Sequence, residues 1–267
     1  METENEQTRW CLFYGDQLLI ERHAEQGFQL PRGAQLTDVI DLKYAPHSHP
    51  HTVSLPDGTT VKAVALHALP DPTDFRLPMG LRASYDYLPM EEYLAAGKAS
   101  QILYWDSHSR YCPCCGTATE QQTPIMKKCP RCGHELYPPV ATAIIVLVKR
   151  GEDEVLLVHA RNFRGNFHGL VAGFLEAGET LEQCVEREVM EETGLRIDHI
   201  RYYASQPWPY PSGLMVGFTA DYVSGSIKLQ DEELSTGAFY HRDHLPEIPR
   251  KLSIARRLID AWIEGKV

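Results

Sequence analysis

A chain of 267 residues with 43% hydrophobic and 23% charged residues has the composition of a soluble globular protein, long enough for one large domain or two modest ones. Its formal net charge of −10 is the wrong sign for wrapping nucleic acid nonspecifically, and an anionic substrate would need locally placed cations. The longest apolar run, Val140–Val148, suits a buried strand rather than a membrane span, and Met1–Glu6 lacks the basic and apolar parts of a secretory signal. A cytoplasmic protein without a membrane partner is the expectation.

In chain order, Trp10–Tyr14 and Gln17–Ile20 flank Gly15-Asp16, and Thr52–Leu55 and Thr59–Leu66 flank Pro56-Asp57-Gly58, two hairpin patterns. His47, His49 and His51 resemble a metal tract, but Pro50 and the polar setting favour a solvated loop. From Met90 to Ser109, the spacing of Tyr93, Leu94, Ile102 and Leu103 predicts a helix interrupted near Gly97.

Cys112 and Cys115 are followed by Gly116, and Cys129 and Cys132 by Gly133, with thirteen residues between Cys115 and Cys129. Two such knuckles bring four thiolates within tetrahedral reach of one ion, the pattern of a structural zinc ribbon with no open coordination position. Cys114 is expected to be a bystander, because the outer four pair symmetrically. Lys127 and Lys128 are the only cations the segment between the knuckles offers to nucleic acid.

Beyond residue 138, strands and helices alternate. Ala141–Arg150 and Glu154–Arg161 form a predicted hairpin; Gly169–Gly173, His199–Ser205, Leu214–Tyr222 and Gly237–Arg242 read as further strands; a last helix runs from Ser253 to Glu264. This order predicts an α/β sandwich.

Residues 173–195 carry the strongest chemistry. Thr180 and Gln183 have capping-box spacing, Gly194 sits at a left-handed C-cap, and Leu181, Val185 and Val189 give an apolar stripe. Glu188, Glu191 and Glu192 then share one helix face, their Cβ atoms roughly 5–6 Å apart. Such crowding favours a hard divalent cation shared with phosphate oxygens, the other reading being a solvated acidic face. Downstream, three prolines in Ser205–Met215 fix backbone dihedrals and are expected to hold Trp208 and Tyr210 in a stiff loop. Those rings either stack on a flat ligand or plug the domain edge.

Residues 173–195 resemble the Nudix box, and Ser205-Gln206-Pro207-Trp208-Pro209-Tyr210-Pro211-Ser212-Gly213 resembles the Ser-Gln-Pro-Trp-Pro-Phe-Pro-x-Ser motif of NADH pyrophosphatases. With the four-cysteine ribbon, the resemblance covers residues 105–267 in order and the N-terminal third more loosely. It departs at Tyr210, which adds a hydroxyl, and at Gly213, where the motif has serine. The fold implied is a Nudix α/β/α sandwich with a mixed sheet, preceded by a zinc ribbon and an N-terminal α+β domain: residues 1–105, 106–138 and 139–267.

The resemblance also implies hydrolysis of the pyrophosphate of NADH or NAD⁺ to nicotinamide mononucleotide and AMP, with removal of 5′ NAD caps from RNA as the same reaction on a longer substrate. It gives Glu188, Glu191, Glu192, Glu233 and the carbonyl of Ala172 as Mg²⁺ or Mn²⁺ ligands, with Glu192, Glu191 and Glu233 catalytic and Glu232 the near rival of Glu233. Glu179 and Arg187 become a structural ion pair. Zn²⁺ is assigned to Cys112, Cys115, Cys129 and Cys132. Substrate contacts are implied for Phe174 and Trp208 on the nicotinamide ring, for Gln206 and Ala255 in the pocket, for Pro207, Pro209, Tyr210, Pro211, Ser212 and Gly213 in the motif, and for Arg32 and Arg82. Tyr137 is implied to reach the partner's site in a homodimer. ADP-ribose or another dinucleotide is the alternative substrate, and an inactive regulator the alternative class.

Overall fold

The computed structural model describes residues 8–25, 27–46, 49–161, 165–230 and 232–267. The opening segment Met1–Glu6, His47 in the histidine tract and Asp231 beside the downstream glutamates lie outside the described residues. The chain divides into two compact units, residues 1–139 with 209–212, and residues 140–208 with 213–267.

In the first unit, β1 (Arg9–Tyr14), β2 (Gln17–His23), β3 (Gly27–Gln29), β4 (His51–Ser54), β5 (Thr60–Ala65) and β6 (Arg76–Gly80) form a six-stranded sheet in the order β3-β2-β1-β5-β4, with β6 also on β2. Both hairpins form as the spacing predicts. β1 pairs antiparallel with β2 through Tyr14 and Gln17, and β4 with β5 through Ser54 and Thr60. The parallel β1–β5 pair makes the sheet mixed. Trp10, Leu12, Leu19, Val39 and Val64 bury one apolar face. Single-turn helices α1 (Leu36–Val39) and α2 (Leu81–Ser84) precede α3 (Met90–His108). Contrary to the predicted break, α3 runs through Gly97 without interruption. Its buried side at that level is made of Ala95, Ala96, Gly97 and Ala99, and a Cβ at Gly97 would stand 3.2 Å from Pro209 Cγ. The glycine therefore grants a close approach and does not end a helix. Between the cysteine knuckles lie β7 (Glu120–Thr123) and β8 (Met126–Lys128), and β9 (Glu135–Leu136), after the second knuckle, joins them in a three-stranded sheet.

The second unit is an α/β/α sandwich. Its mixed sheet has the order β13-β14-β10-β11-β15, with β12 also on β10. The strands are β10 (Ala141–Arg150), β11 (Glu154–Ala160), β12 (Val171–Phe174), β13 (Arg196–Trp208), β14 (Gly213–Ser224) and β15 (Leu234–His241). Alternation on the strands decides which helix each face receives. Ile144, Val146, Val148, Leu156 and Val158 pack with Val185 and Val189 of α4 (Leu181–Thr193). The intervening Ile145, Leu147, Val155 and Leu157 pack with Leu258, Ile259 and Trp262 of α5 (Ile254–Ile263). The expected strand His199–Ser205 is longer than predicted, because Gln206, Pro207 and Trp208 continue to pair with Met215, Leu214 and Gly213. Pro207 fits because β13 is an edge strand, where a missing N–H costs no ladder bond.

Candidate active site

The local sequence of α4 sets up its acidic face. The Thr180 N–H donates to Gln183 Oε1 at 2.9 Å and the Gln183 N–H to Thr180 Oγ1 at 3.2 Å, the reciprocal capping box that satisfies two orphan donors. Gly194 ends the helix at φ 71°, its N–H on the Met190 carbonyl at 2.9 Å. Two later N–H groups, of Lys228 and Gln230, donate to the terminal carbonyls of Thr193 and Glu192 at 2.9 and 3.0 Å. Those bonds bring the segment carrying Glu233 to the end of the acidic helix. The Glu233 carbonyl in turn accepts the Arg161 N–H at 2.8 Å.

On this face Glu192 is 4% exposed, Glu188 half-buried and Glu191 exposed. Burial pushes the Glu192 carboxyl up to about 8, with further upward pressure from Glu188, Glu233 and Glu191. Glu188 is also raised, first by burial, against the pull of Arg187. Glu188 lies directly over β12: a Cβ on Gly173 would overlap its carboxyl carbon. The residue before that glycine, Ala172, is exposed and pairs with Ile145. Glu233 acts electrostatically on both Glu188 and Glu192, whereas Glu232 is not among the groups that shift either. The structure thus brings Glu188, Glu191, Glu192 and Glu233 into one electrostatic neighbourhood beside Ala172.

Arg187 is the residue whose reach the sequence understated. The expected pair with Glu179 is bidentate, at 2.5 and 2.9 Å, and holds Glu179 down to about 2. The same guanidinium also bonds Glu188 at 2.8 Å, Glu191 at 3.1 Å and the Phe174 carbonyl at 3.0 Å. It ties the loop to the helix and partly neutralises the acidic face. The four carboxylates are not drawn into a tight cage: among the described residues, the cysteines alone form a group of three or more whose ligand atoms all lie within 4.8 Å of one another. The donor set of hard carboxylate oxygens, one of them buried among like charges, nonetheless fits a divalent cation.

That cysteine group is Cys112, Cys115, Cys129 and Cys132, with Cys114 outside it. Sγ separations of 3.5 Å for Cys112–Cys132, 3.5 Å for Cys115–Cys129 and 3.6 Å for Cys115–Cys132 approach the roughly 3.8 Å edge of a tetrahedron with metal–sulfur bonds of about 2.3 Å. Gly116 and Gly133 turn the knuckles at φ 71° and 77°. The Thr117 hydroxyl and N–H bring the Cys115 thiol down to about 6, whereas Cys132, against the pull of the His134 N–H, is pushed up to about 12 by Cys112 and Cys129. These residues could hold one metal ion. Of the two ribbon lysines only Lys128 stays exposed. Lys127 is buried on Asp106 at 2.7 Å, and Lys128 pairs with Glu135 at 3.2 Å.

The residues expected to meet substrate fall into three groups. Phe174, at the end of β12, is 67% exposed, and Trp208, at the end of β13, is half-buried. Gln206 and Ala255 are committed to the fold of the second unit. The Gln206 amide donates to Leu252 O at 2.9 Å and accepts the Ile254 N–H at 2.7 Å, and Ala255 is buried in the α5 core. Gly213 pairs with Trp208 and with Ala141, and a Cβ there would stand 3.2 Å from the Ala141 carbonyl, a physical reason for glycine in place of the motif serine.

Ser212, Pro209, Tyr210, Pro211, Arg32, Arg82 and Tyr137 belong to the first unit. The Ser212 hydroxyl donates to Pro139 O at 2.6 Å, and Tyr137 to Glu135 at 3.1 Å. Arg32 bonds the buried Glu92 at 3.2 Å, alongside Arg9 at 3.5 Å and the Leu30 N–H at 2.7 Å, which makes it a charge partner within the fold. Arg82 lies over the Tyr210 ring at 4.4 Å. Tyr93 and Glu92, which hold these two arginine regions, had no signal in the sequence beyond their helical spacing.

Residues 138–262 match a family model described as the NUDIX domain, and residues 7–105 match one described as an NADH pyrophosphatase-like rudimentary NUDIX domain. The chain is 44% identical over 174 residues to a Pseudomonas aeruginosa (strain LESB58) protein named NAD-capped RNA hydrolase NudC, covering 65% of this chain and 62% of that one. Proteins of the same name from Haemophilus influenzae (strain PittGG) and Actinobacillus succinogenes are each 41% identical, over 181 and 201 residues, covering 66% and 72% of this chain and 69% and 76% of theirs. The match to the Pseudomonas relative thus spans a little under two thirds of that protein's length. No described helix is long and apolar enough to cross a membrane. Motifs, fold and relatives agree, and the chain belongs to the NADH pyrophosphatase family of the Nudix hydrolases.

Proposed function

We propose that the protein hydrolyses the pyrophosphate of NADH or NAD⁺ to nicotinamide mononucleotide and AMP, and that it removes 5′ NAD caps from RNA by the same reaction. The observation that carries this reading is Glu192, a carboxylate 4% exposed and crowded by Glu188, Glu191 and Glu233. A buried acid among like charges is costly unless a cation joins it. Glu188, Glu191, Glu192, Glu233 and the Ala172 carbonyl would hold Mg²⁺ or Mn²⁺. When bound, the ions neutralise pyrophosphate oxygens and make a water more acidic. Glu192 or Glu233 accepts the proton of the attacking water. Arg187 holds Glu188 and Glu191 in place, and Phe174 and Trp208 stack on the nicotinamide ring. The four cysteines hold Zn²⁺ structurally.

The same reading takes residues 1–105, 106–138 and 139–267 as the domains, a cytoplasmic homodimer as the working form, and Tyr137 as the residue that reaches the partner's site. The printed names of the relatives support NAD-capped RNA as a substrate. ADP-ribose is the second reading, and one observation favours it: Gln206 and Ser212 are occupied within the fold, which leaves ring stacking to select the nicotinamide side. Side-by-side hydrolysis of NADH and ADP-ribose with Mn²⁺ decides between them. A clear preference for NADH is expected, and faster turnover of ADP-ribose would reject the NAD(H) reading.

A further inference from the structure

We propose that Tyr93, together with Arg82 and Gly97, is a positioning residue for substrate selection: it holds the turn Pro209–Ser212 and so sets Trp208 for the nicotinamide side of the dinucleotide. The inference rests on the NAD(H) reading above. The turn leaves β13 at Trp208 and enters β14 at Gly213, residues that pair across the hairpin. Its four residues belong with the first unit.

Three of the four are engaged there. Pro209 is buried against the gap left by Gly97, where a Cβ would meet its Cγ at 3.2 Å. Tyr210 Oη lies 2.6 Å from Tyr93 Oη, and the Arg82 guanidinium caps the Tyr210 ring at 4.4 Å. The Ser212 hydroxyl bonds the Pro139 carbonyl at 2.6 Å. Tyr93 is itself fixed: it is 5% exposed and meets Tyr85 edge to face at 5.3 Å. Burial raises both phenols of the pair, so both stay protonated and one can always donate to the other.

The motif has phenylalanine at the position of Tyr210. The added hydroxyl is therefore not an idle variation, because α3 supplies a buried partner for it. A turn held at three of its four residues restricts the end of the hairpin on which Trp208 stands, and a contact surface ordered in advance loses less entropy on binding. Tyr93 touches neither phosphate nor metal in this role. It acts through the turn.

The test compares wild type with Tyr93→Phe, Tyr210→Phe and the double variant by hydrogen exchange over residues 206–214 and by steady-state kinetics with Mn²⁺. Each single variant should raise exchange in that segment and raise the KM for NADH several-fold, with kcat within about twofold. The double variant should resemble the singles, since all three lose one shared contact. The kcat/KM for ADP-ribose, which has no nicotinamide, should change less than twofold. Gly97→Ala keeps the fold in play if a tyrosine variant folds poorly: alanine favours a helix more than glycine does, so Tm should hold or rise while the KM for NADH rises.

Unchanged exchange and KM in the single variants, equal effects on NADH and ADP-ribose, or additive effects in the double variant would each overturn the proposal. A wild type that leaves NADH intact would instead sink the NAD(H) reading, and the selecting role with it.

Discussion

Gly173 leaves open the space that the Glu188 carboxylate fills, and a Cβ there would overlap that group. Gly173→Ala is expected to displace the carboxylate, weaken Mn²⁺ binding and cut turnover by at least tenfold, while far-UV circular dichroism stays native. Metal titration of the variant checks this, and unchanged affinity would separate Glu188 from the ion. The glutamate face itself was legible from i, i+3, i+4 spacing. The additional grip of Arg187 on Glu188, Glu191 and the Phe174 carbonyl was not. That carbonyl is supplied by β12, and no helical pattern reports what a neighbouring strand presents.

Among the elements, α4 was the most legible, since its capping box, apolar stripe and C-cap are local chemistry. Gly194→Ala should destabilise the second unit by about 1–2 kcal/mol, because alanine pays the left-handed penalty at φ 71°. Its added Cβ would also press Lys228 Cβ at 3.3 Å, on the segment that leads to Glu233. Urea unfolding measures the loss. Elements defined by long-range neighbours were harder to read. Prolines around Trp208 suggested a loop, yet Gln206–Trp208 pair to the end of an edge strand. Gly97 suggested a helix break, yet it admits Pro209 from a segment more than a hundred residues away. In both cases a local rule was overridden by what lies across from the residue.

For the molecule as a whole, the division of labour follows from where charge is buried. The ribbon is joined to α3 by Lys127, which is 6% exposed and sits on Asp106 at 2.7 Å. His51 and Lys127 hold the Asp106 carboxyl down to about 2. A depressed carboxyl stabilises above its ordinary value near 3.8 and loses that contribution as pH falls through about 2. Asp106→Asn should therefore cost about 1–3 kcal/mol at pH 7, trimmed because a third of Asp106 meets water, and the gap to wild type should close between pH 4 and 2. Denaturant melts at several pH values test the sign. Order of motifs along the chain disclosed the ribbon and the catalytic fold, but the tertiary partners of Glu92, Tyr93 and Asp106 only appear once the first unit is folded.

Whether the acidic face of α4 cleaves a dinucleotide pyrophosphate is tested most directly by incubating wild type and Glu192→Gln with NADH and Mn²⁺ and resolving the products. Wild type is expected to release equal amounts of reduced nicotinamide mononucleotide and AMP. Glu192→Gln is expected to turn over at least a hundredfold more slowly, and its metal-free Tm should be no lower, because a neutral amide avoids the ionisation cost that burial and the neighbouring carboxylates impose on Glu192. Undiminished turnover by the variant, or release of nicotinamide in place of the mononucleotide, would contradict it.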